Sequence, residues 1–235
     1  MIARLGKTLK TWEVALRTSW GDDISTPALR RQALWHFHLF DHAWLRLLWT
    51  NFDEVAPGVY RSNQPDHARL EKLRNMGIRT IVNLRGTPRQ SHYLFEEESC
   101  AALGLAMVNL HLHARRAAPR SEILNLIETF RSAEKPLLMH CKSGADRAGL
   151  AAAIYLIAID GRSVAEARRH LGPRYVHFRW SRTGICDHLL DAYEERLAAG
   201  PIGVEEWIAT EYDAADLEAS FTRKRSRLLP WVGRN

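Results

Sequence analysis

Short apolar runs alternate with longer amphipathic stretches along the chain from about residue 55. Four of the apolar runs are brief and bounded by turn residues, so they predict strands, at residues 58–65, 78–86, 105–113 and 137–140. Three amphipathic stretches between them predict helices, at residues 66–77, 91–104 and 119–135. Strands that alternate with helices are typical of an α/β domain, so we expect a mainly parallel central sheet flanked by helices.

The pattern is helical on both sides of this alternation. Beyond residue 140, further amphipathic stretches predict helices at residues 163–171, 183–200, 203–212 and 213–229. Residues 31–51 are rich in Trp, Phe and Leu but carry Asp41 and Arg46. A charge at bilayer depth costs roughly 2.5–3.5 kcal/mol, so this segment is not expected to span a membrane. We predict a helical N-terminal extension at residues 1–54, a central domain at 55–200 and a helical, basic C-terminal extension, packed on that domain, at 201–235.

The composition is that of a chain able to fold around a large core. Of the 235 residues, 46% are hydrophobic. The three cysteines, Cys100, Cys141 and Cys186, form neither a disulfide framework nor a zinc-binding pattern. The beginning of the chain lacks the continuous apolar stretch of a secretory signal, so we expect a cytoplasmic protein. The net charge of +6 favours anionic partners.

The stretch HCKSGADRAG, residues 140–149, carries the candidate chemistry, because a strand pattern ends there and a helix pattern begins. Backbone N–H groups from Lys142 to Arg147 can turn inward, and the helix N-terminus adds positive charge, so the loop can hold an anion of phosphate size. The same field favours the nucleophilic thiolate form of Cys141. The planar guanidinium of Arg147 can hold two phosphoryl oxygens, and Gly144 permits a close backbone approach.

This stretch resembles the HC-x5-R loop of the cysteine-dependent phosphatase superfamily. It is most similar to the atypical dual-specificity and bacterial tyrosine-phosphatase-like branch with an HC-x-x-G-x-D-R loop, and residues 58–65 and 78–86 resemble the opening strands of that branch more weakly. The resemblance covers residues 55–200 and implies a catalytic domain with a dual-specificity phosphatase-like fold. It also implies that Cys141 attacks phosphorus and that water then hydrolyses the phosphocysteine, without a metal or other cofactor. A buried structural cysteine and a rhodanese-like sulfur transferase are the alternatives.

The loop and its resemblance define the expected site residues. The expected catalytic residues are Cys141, Arg147, Asp146 and His140, and the expected substrate-binding residues are Lys142, Ser143, Gly144, Ala145, Arg85, Arg115 and Arg116. Arg85 ends a predicted strand whose carboxyl edge borders the same crevice, and its counterpart in related phosphatases often binds phosphate. No metal ligands are expected.

The general acid departs from the usual pattern of these phosphatases, most of which carry an Asp on a separate loop upstream of the Cys. Residues 109–121, which correspond to that loop, contain no Asp or Glu. We expect Asp146 to take the role, since a carboxyl group inside the loop could reach the leaving oxygen. The alternative is that Asp146 only braces the loop, and His111 and His113 are weaker candidates. Ala148 replaces the Ser or Thr of many relatives, so breakdown of the intermediate is expected to be slower.

Basic residues around the loop bear on the substrate. Residues 162–182 contain six Arg against the single acidic residue Glu166, and Arg115 and Arg116 occupy the place of the usual acid loop. One phosphate needs less charge than this, so we favour a phosphorylated membrane lipid or lipid-linked sugar as substrate. A protein tyrosine or dual-specificity phosphatase is the first alternative, and a phosphate-binding module without turnover is the second.

The Trp-rich N-terminal segment leaves two interpretations open. Trp35, Phe40, Trp44 and Leu48 either anchor the protein to an anionic membrane, together with the basic residues 223–235, or pack on the core of the central domain. The expected partners are therefore a phosphorylated lipid, sugar or phosphoprotein and a peripheral contact with the inner membrane surface. No nucleic-acid partner is expected, because no base-reading motif accompanies the positive charge.

Overall fold

A five-stranded sheet forms the centre of the computed structural model, which describes residues 21–228. The strands are β1 (Asp53–Ala56), β2 (Val59–Asn63), β3 (Thr80–Asn83), β4 (Ala106–Asn109) and β5 (Leu137–Cys141). Their order across the sheet is β1-β2-β5-β3-β4. The edge strand β1 pairs antiparallel with β2, whereas the other neighbours are parallel. The predicted mainly parallel α/β sheet is therefore confirmed.

Helices follow the strands in the order that the sequence predicts. They are α1 (Pro27–Leu39), α2 (His67–Asn75), α3 (Ser91–Leu103), α4 (Arg120–Ser132), α5 (Asp146–Ala158), α6 (Val164–Ala167), α7 (Ile185–Ala198), α8 (Val204–Thr210) and α9 (Ala214–Leu228). The helix predicted at 163–171 is divided into α6 and a 3-10 turn at Arg168–His170. Its start is fixed by a capping box in which the side chains of Ser163 and Glu166 bond each other's backbone N–H groups.

Side chains of the parallel strands alternate between two apolar layers. Ile81 of β3 and Leu138 of β5 pack with residues of α2 and α3 on one face. Their neighbours Val82 and Met139 belong to the larger core on the other face, which α4, α5, α7 and α8 also supply. All residues of β5 are buried because this strand lies in the middle of the sheet and is covered on both faces.

The C-terminal helices share this larger core. Trp207 of α8 and Leu217 and Phe221 of α9 belong to the same cluster of buried side chains as the sheet. The Tyr212 hydroxyl, between these helices, donates a hydrogen bond to the backbone oxygen of Ala118 at 2.7 Å. Within residues 21–228, no helix is both long enough and apolar enough to cross a membrane.

The N-terminal helix α1 packs on α3, but not through the aromatic residues that the sequence suggests. The Phe37 ring lies 5.8 Å from that of Phe95, and His36 Nδ1 lies 2.8 Å from Ser91 Oγ. By contrast, Trp35 is 65% exposed, Trp44 is 50% exposed and Leu48 is 73% exposed. Phe40 is half-buried. Packing on the core by Trp35, Trp44 and Leu48 is therefore wrong. Residues 1–20 and 229–235, which include the end of the basic tail, lie outside the described residues.

Candidate active site

The predicted nucleophile lies where the central strand ends and the next helix begins. Cys141 is the last residue of β5, and α5 begins at Asp146, so residues 142–145 form the loop between them. The Cys141 side chain belongs to the buried core and is only 2% exposed as a residue. The strand, tight loop and helix N-terminus expected from the change in periodicity are all present.

Arg61 of β2 is a buried cation that braces this loop. Its guanidinium donates hydrogen bonds to the backbone oxygens of Gly144 and Ala145, the latter at 3.2 Å, and of His170 at 2.6 Å. The guanidinium carbon also lies 3.8 Å from the centre of the Tyr175 ring. Burial lowers the pKa of Arg61 to about 10, so the side chain remains charged at neutral pH. The sequence contains a signal for this role, since Arg61 lies within a predicted strand. A charge buried in a strand is costly unless it is paired, so such a residue needs a partner in the fold.

The other loop carbonyls are also bonded to residues outside the loop. Asn51 Nδ2 donates a hydrogen bond to the backbone oxygen of Ser143 at 2.8 Å. The backbone N–H of Gln64 donates to the backbone oxygen of Lys142 in a long contact of 3.5 Å. The N–H groups of Lys142, Ser143 and Gly144 donate to no other group within residues 21–228. A loop with engaged carbonyls and free N–H groups, followed by a helix N-terminus, can bind an anion through its backbone.

Gly144 makes the close backbone approach that the sequence predicts. Its φ of +70° lies in the left-handed region, and a Cβ atom added there would be 2.5 Å from the backbone nitrogen of Asn63. The same atom would be 2.7 Å from the carbonyl carbon of Ser62. Both neighbours are backbone atoms at the end of β2, so neither can swing away, and only glycine fits.

The guanidinium of Arg147 has few partners within the described chain. Its Nη1 lies 3.5 Å from the backbone oxygen of Leu84, a long contact, and its buried Nε has no hydrogen-bond partner in residues 21–228. A half-buried guanidinium with unused donors beside the loop can bind a phosphoryl group. The next residue, Ala148, is completely buried and supplies no hydroxyl, while Ser143 Oγ accepts from the backbone N–H of Ala145 at 3.4 Å.

His140 is held in the core by a carboxylate from α3. Its Nε2 lies 2.6 Å from Glu96 Oε1, and both side chains are almost fully buried. The other oxygen of Glu96 accepts a hydrogen bond from Gln64 Nε2 at 2.6 Å. His140 Nε2 thus faces Glu96, and this contact helps to fix the strand that carries Cys141. The catalytic role expected of His140 stays a prediction.

Asp146 begins α5 and forms a three-residue network with two residues far along the chain. Its Oδ1 lies 2.7 Å from Nδ1 of His177, whose Nε2 lies 2.7 Å from Oδ2 of Asp187 at the start of α7. His177 and Asp187 are almost completely buried, whereas 20% of the Asp146 side chain is exposed. Burial alone would lower the pKa of His177, but its hydrogen bonds to Asp146 and Asp187 outweigh burial and raise it to about 9.

The expected substrate-binding residues Arg85 and Lys142, called the cationic subsite below, contact a buried carboxylate from the N-terminal segment. Asp41 Oδ1 lies 2.7 Å from Nη2 of Arg85 and 3.3 Å from Nζ of Lys142, and Asp41 Oδ2 lies 2.6 Å from Nη1 of Arg46. Burial opposes the charge of Asp41, but the guanidinium groups of Arg85 and Arg46 outweigh it and hold the pKa of Asp41 well below its usual range. Arg85 and Lys142 therefore share one internal carboxylate with Arg46, which offsets part of their positive charge before any substrate binds.

The remaining predicted cationic residues make no bond with the loop in the part of the chain that the structure describes. Arg115 and Arg116 are exposed and take part in none of the hydrogen bonds or ion pairs of residues 141–147, so their binding role stays a prediction. Four of the six arginines in residues 162–182 form ion pairs with carboxylates, namely Arg162, Arg168, Arg174 and Arg179. The positive charge of residues 162–182 is thus partly compensated in the folded chain.

One group of side chains within residues 21–228 has the chemistry of a metal site, although the sequence predicts none. The ligand atoms of His111, His113 and Glu122 all lie within 4.8 Å of one another, and the two imidazole rings are 4.4 Å apart. The signal in the sequence is His-x-His at the end of a strand, which places two rings on one side. This cluster follows β4 and is separate in sequence from the Cys141 loop.

A reactive cysteine at the end of the central parallel strand, an anion-binding loop and an adjacent arginine define the cysteine-dependent phosphatases, in particular their atypical dual-specificity branch. Comparison with protein-family models agrees with this class. The chain belongs to the family described as Swiss Army Knife protein, DSP-PTPase phosphatase domain, whose model matches residues 51–196.

The most similar curated relatives include the dual specificity protein phosphatase TpbA from two strains of Pseudomonas aeruginosa. The UCBPP-PA14 protein is 32% identical over 116 residues, which cover 47% of this chain and 48% of the relative. The PAO1 protein is 31% identical over 130 residues, which cover 52% and 55%. The chain thus spans about half the length of these relatives. A crystal structure of P. aeruginosa TpbA shares the fold, with a TM-score of 0.50 and 22% identity over 74% of this chain and 91% of that one.

Proposed function

We propose that the protein hydrolyses phosphomonoesters through a phosphocysteine on Cys141, without a metal ion. The thiolate attacks phosphorus, the phosphorus–oxygen bond to the leaving group breaks, and Asp146 gives a proton to the leaving oxygen. Water then attacks the phosphocysteine, Asp146 takes up a proton from it, and inorganic phosphate leaves. The supporting observation is the orientation of the loop, whose carbonyls are bonded elsewhere while its N–H groups remain available for the phosphoryl oxygens.

Arg147 contributes the second part of the phosphoryl site in this proposal. Its free donors can bind two of the equatorial oxygens that carry charge in the transition state. A lysine would supply only a point charge, so Arg147→Lys is a damaging substitution in this scheme. His140 has no role in proton transfer here, since its ring is committed to Glu96.

We propose a phosphorylated protein side chain, in particular phosphotyrosine, as the substrate rather than a membrane lipid. The lipid hypothesis depended on an excess of positive charge around the loop, and Asp41 offsets part of that charge by pairing with Arg85 and Lys142. One phosphate then needs only the loop and Arg147. The two relatives that match over about half of their length carry the name dual specificity protein phosphatase, which favours the same class.

The test compares catalytic efficiency on three substrates of different class. We expect kcat/KM to be highest on a phosphotyrosyl peptide, lower on the matched phosphoseryl peptide, and lowest on a phosphoinositide presented in vesicles. The matched peptides differ only in the phosphorylated residue, so the ratio reports the site and not the flanking sequence. A phosphoinositide turned over more efficiently than both peptides would reverse the assignment, and no turnover of any substrate would leave a phosphate-binding module.

We also propose a peripheral contact with an anionic surface, independent of the substrate. It is favoured by the exposed apolar side chains of the N-terminal segment, among them Trp35, Trp44 and Leu48. Tryptophan and leucine beside basic residues are typical of interfacial segments. The net charge of +6 has the sign that such a surface attracts.

A further inference from the structure

His177 is a buried histidine with a carboxylate at each ring nitrogen. The two nitrogen–oxygen distances, to Asp146 and to Asp187, are both 2.7 Å, and 1% of the His177 side chain is exposed. The preceding residue, Val176, has a φ of +63°, a conformation that β-branched residues rarely adopt. The sequence did not indicate this network, because its members lie at residues 146, 177 and 187 on three different elements.

The geometry and the raised pKa of His177 agree on the protonation of the ring. Two ionised carboxylates can both accept from the ring only if each nitrogen carries a hydrogen, and a pKa of about 9 keeps His177 an imidazolium at neutral pH. Asp187 is 3% exposed and balances that charge. Asp146 is the remaining member of the network, and it alone is partly exposed. The charged groups that face His177 are these two carboxylates, one from α5 and one from α7.

An imidazolium bonded to Oδ1 of Asp146 gives the two carboxyl oxygens different roles: Oδ1 accepts the hydrogen bond, and Oδ2 carries the proton that is transferred. Oδ1 accepts the Nδ1–H bond whether or not the carboxyl group is protonated, so the transferable proton resides on Oδ2. A fixed Oδ1 also fixes the direction of Oδ2, and proton transfer to a leaving oxygen depends on that direction.

We propose that His177, held by Asp187, is a positioning residue that orients Asp146 as the general acid. This inference rests on the proposed function and deepens it. His177 keeps both of its protons throughout the reaction. The proton lost to the leaving oxygen comes from Oδ2 of Asp146, and the same oxygen recovers a proton from the water that attacks the phosphocysteine, so protons balance over one turnover.

The role has a distinct signature in kinetics, because protonation of the leaving oxygen matters most for a poor leaving group. We expect His177→Gln to lose at least about tenfold in kcat on an alkyl phosphate and less than about threefold on an activated aryl phosphate. His177→Asn places its amide nitrogen near the position of Nδ1, can still donate to Asp146, and should recover part of the loss. A residue that only supports the fold would affect both substrates alike.

A matched control separates this role from the general effect of altering a buried histidine. The control is His188→Asn, next to Asp187 on α7, whose ring nitrogen Nε2 bonds Ser220 Oγ instead. It should leave the ratio of the two activities unchanged.

Three comparisons decide the outcome. If Asp146→Asn shows the leaving-group dependence and the His177 variants do not, the positioning role is wrong while the proposed function stands. If Asp146→Asn itself affects both substrates equally, the acid assignment in the proposed function fails. The double variant Asp146→Asn with His177→Gln should be no slower on the alkyl phosphate than Asp146→Asn alone, because His177 acts through Asp146. A further additive loss would contradict the inference.

The wild-type protein provides a readout that needs no folded variant. Nitrogen-15 NMR of the histidine rings should show both nitrogens of His177 protonated at about pH 7, as its two carboxylate partners require. Assignment links the ring signals of His177 to its backbone signals in the wild-type protein itself. A neutral His177 ring at that pH would overturn the proposal even if every variant failed to fold.

Discussion

At the scale of single residues, Gly144 is the position where the backbone of the loop and the end of β2 approach most closely. Gly144→Ala must place a Cβ atom at 2.5 Å from a backbone nitrogen at a φ of +70°. We expect a loss of about 1–3 kcal/mol in the free energy of unfolding and a larger fractional loss of activity, because the anion-binding loop must move. Urea denaturation and initial rates on an aryl phosphate would measure both.

Gly161→Ala is the matched control for that substitution. Gly161 has a similar φ of +66°, but a Cβ atom added there would have no neighbouring atom within 4 Å. It should cost about 1 kcal/mol of backbone strain and leave kcat unchanged. Equal losses of activity in the two variants would mean that the contact with β2 does not shape the loop.

The residues of the loop could be predicted from the sequence, whereas their partners could not. Cys141, Gly144 and Arg147 lie within one short motif whose chemistry is local, so spacing alone identifies them. Arg61 lies 83 residues before its partner Gly144, and His177 lies 31 residues after its partner Asp146. No periodicity links such distant positions, so only the folded chain reveals the brace and the network.

At the scale of elements, the alternation of strands and helices was predictable because each buried strand is an apolar run between helical patterns. The strand β1 was missed, since it is a four-residue edge strand that begins with Asp53 and Glu54 and lacks an apolar run. The N-terminal segment differs more from the expectation, because its contacts with the site are polar and not aromatic. Its tryptophans face outward, and its contacts with the site are made by polar side chains, the carboxylate of Asp41 and the amide of Asn51.

Asp41→Asn tests whether this segment is a structural part of the site. The substitution leaves the buried guanidinium groups of Arg46 and Arg85 without their common partner, so we expect a loss on the order of 3–5 kcal/mol in the free energy of unfolding. The pKa of Asp41 is lowered by folding, so its contribution is complete above its ordinary value and is lost only as pH falls toward the folded value. The difference between wild type and variant should therefore be constant above about pH 5 and decline in strong acid.

The control for this prediction is Asp160→Asn, which removes a carboxylate from the exposed ion pair with Arg162. It should leave the melting temperature almost unchanged, since exposed pairs contribute little. A small effect of Asp41→Asn, comparable to that of the control, would show that the N-terminal segment does not stabilise the subsite.

At the scale of the whole molecule, the net charge of +6 is less informative than its distribution. Two basic residues near the loop, Arg85 and Lys142, are paired with a carboxylate, whereas apolar side chains remain exposed on the N-terminal segment. The sequence could supply the total charge but not the pairing, because partners such as Arg85 and Asp41 lie on different elements. This pairing shifts our substrate assignment from lipids to phosphorylated protein side chains.

The exposed tryptophans provide a test of the proposed surface contact. The double variant Trp35→Ser with Trp44→Ser should reduce cosedimentation with anionic vesicles at moderate salt and leave activity on a soluble aryl phosphate intact. The control is Trp180→Ser, since Trp180 is as exposed as Trp35, at 65%, but lies in the loop before α7. Equal binding by both variants and the wild type, or no binding by any of them, would refute the contact.

The most direct test of the central claim is to trap the phosphocysteine. Because Ala148 supplies no hydroxyl to assist the departing thiolate, we expect the intermediate to accumulate during turnover of an activated aryl phosphate. Rapid acid quench should then give a burst of aryl alcohol close to one equivalent per protein, and mass spectrometry should find one phosphoryl group on the peptide that contains Cys141. Cys141→Ser should show neither. Turnover by Cys141→Ser, or turnover of the wild type with no burst and no phosphoryl group on Cys141, would contradict the mechanism.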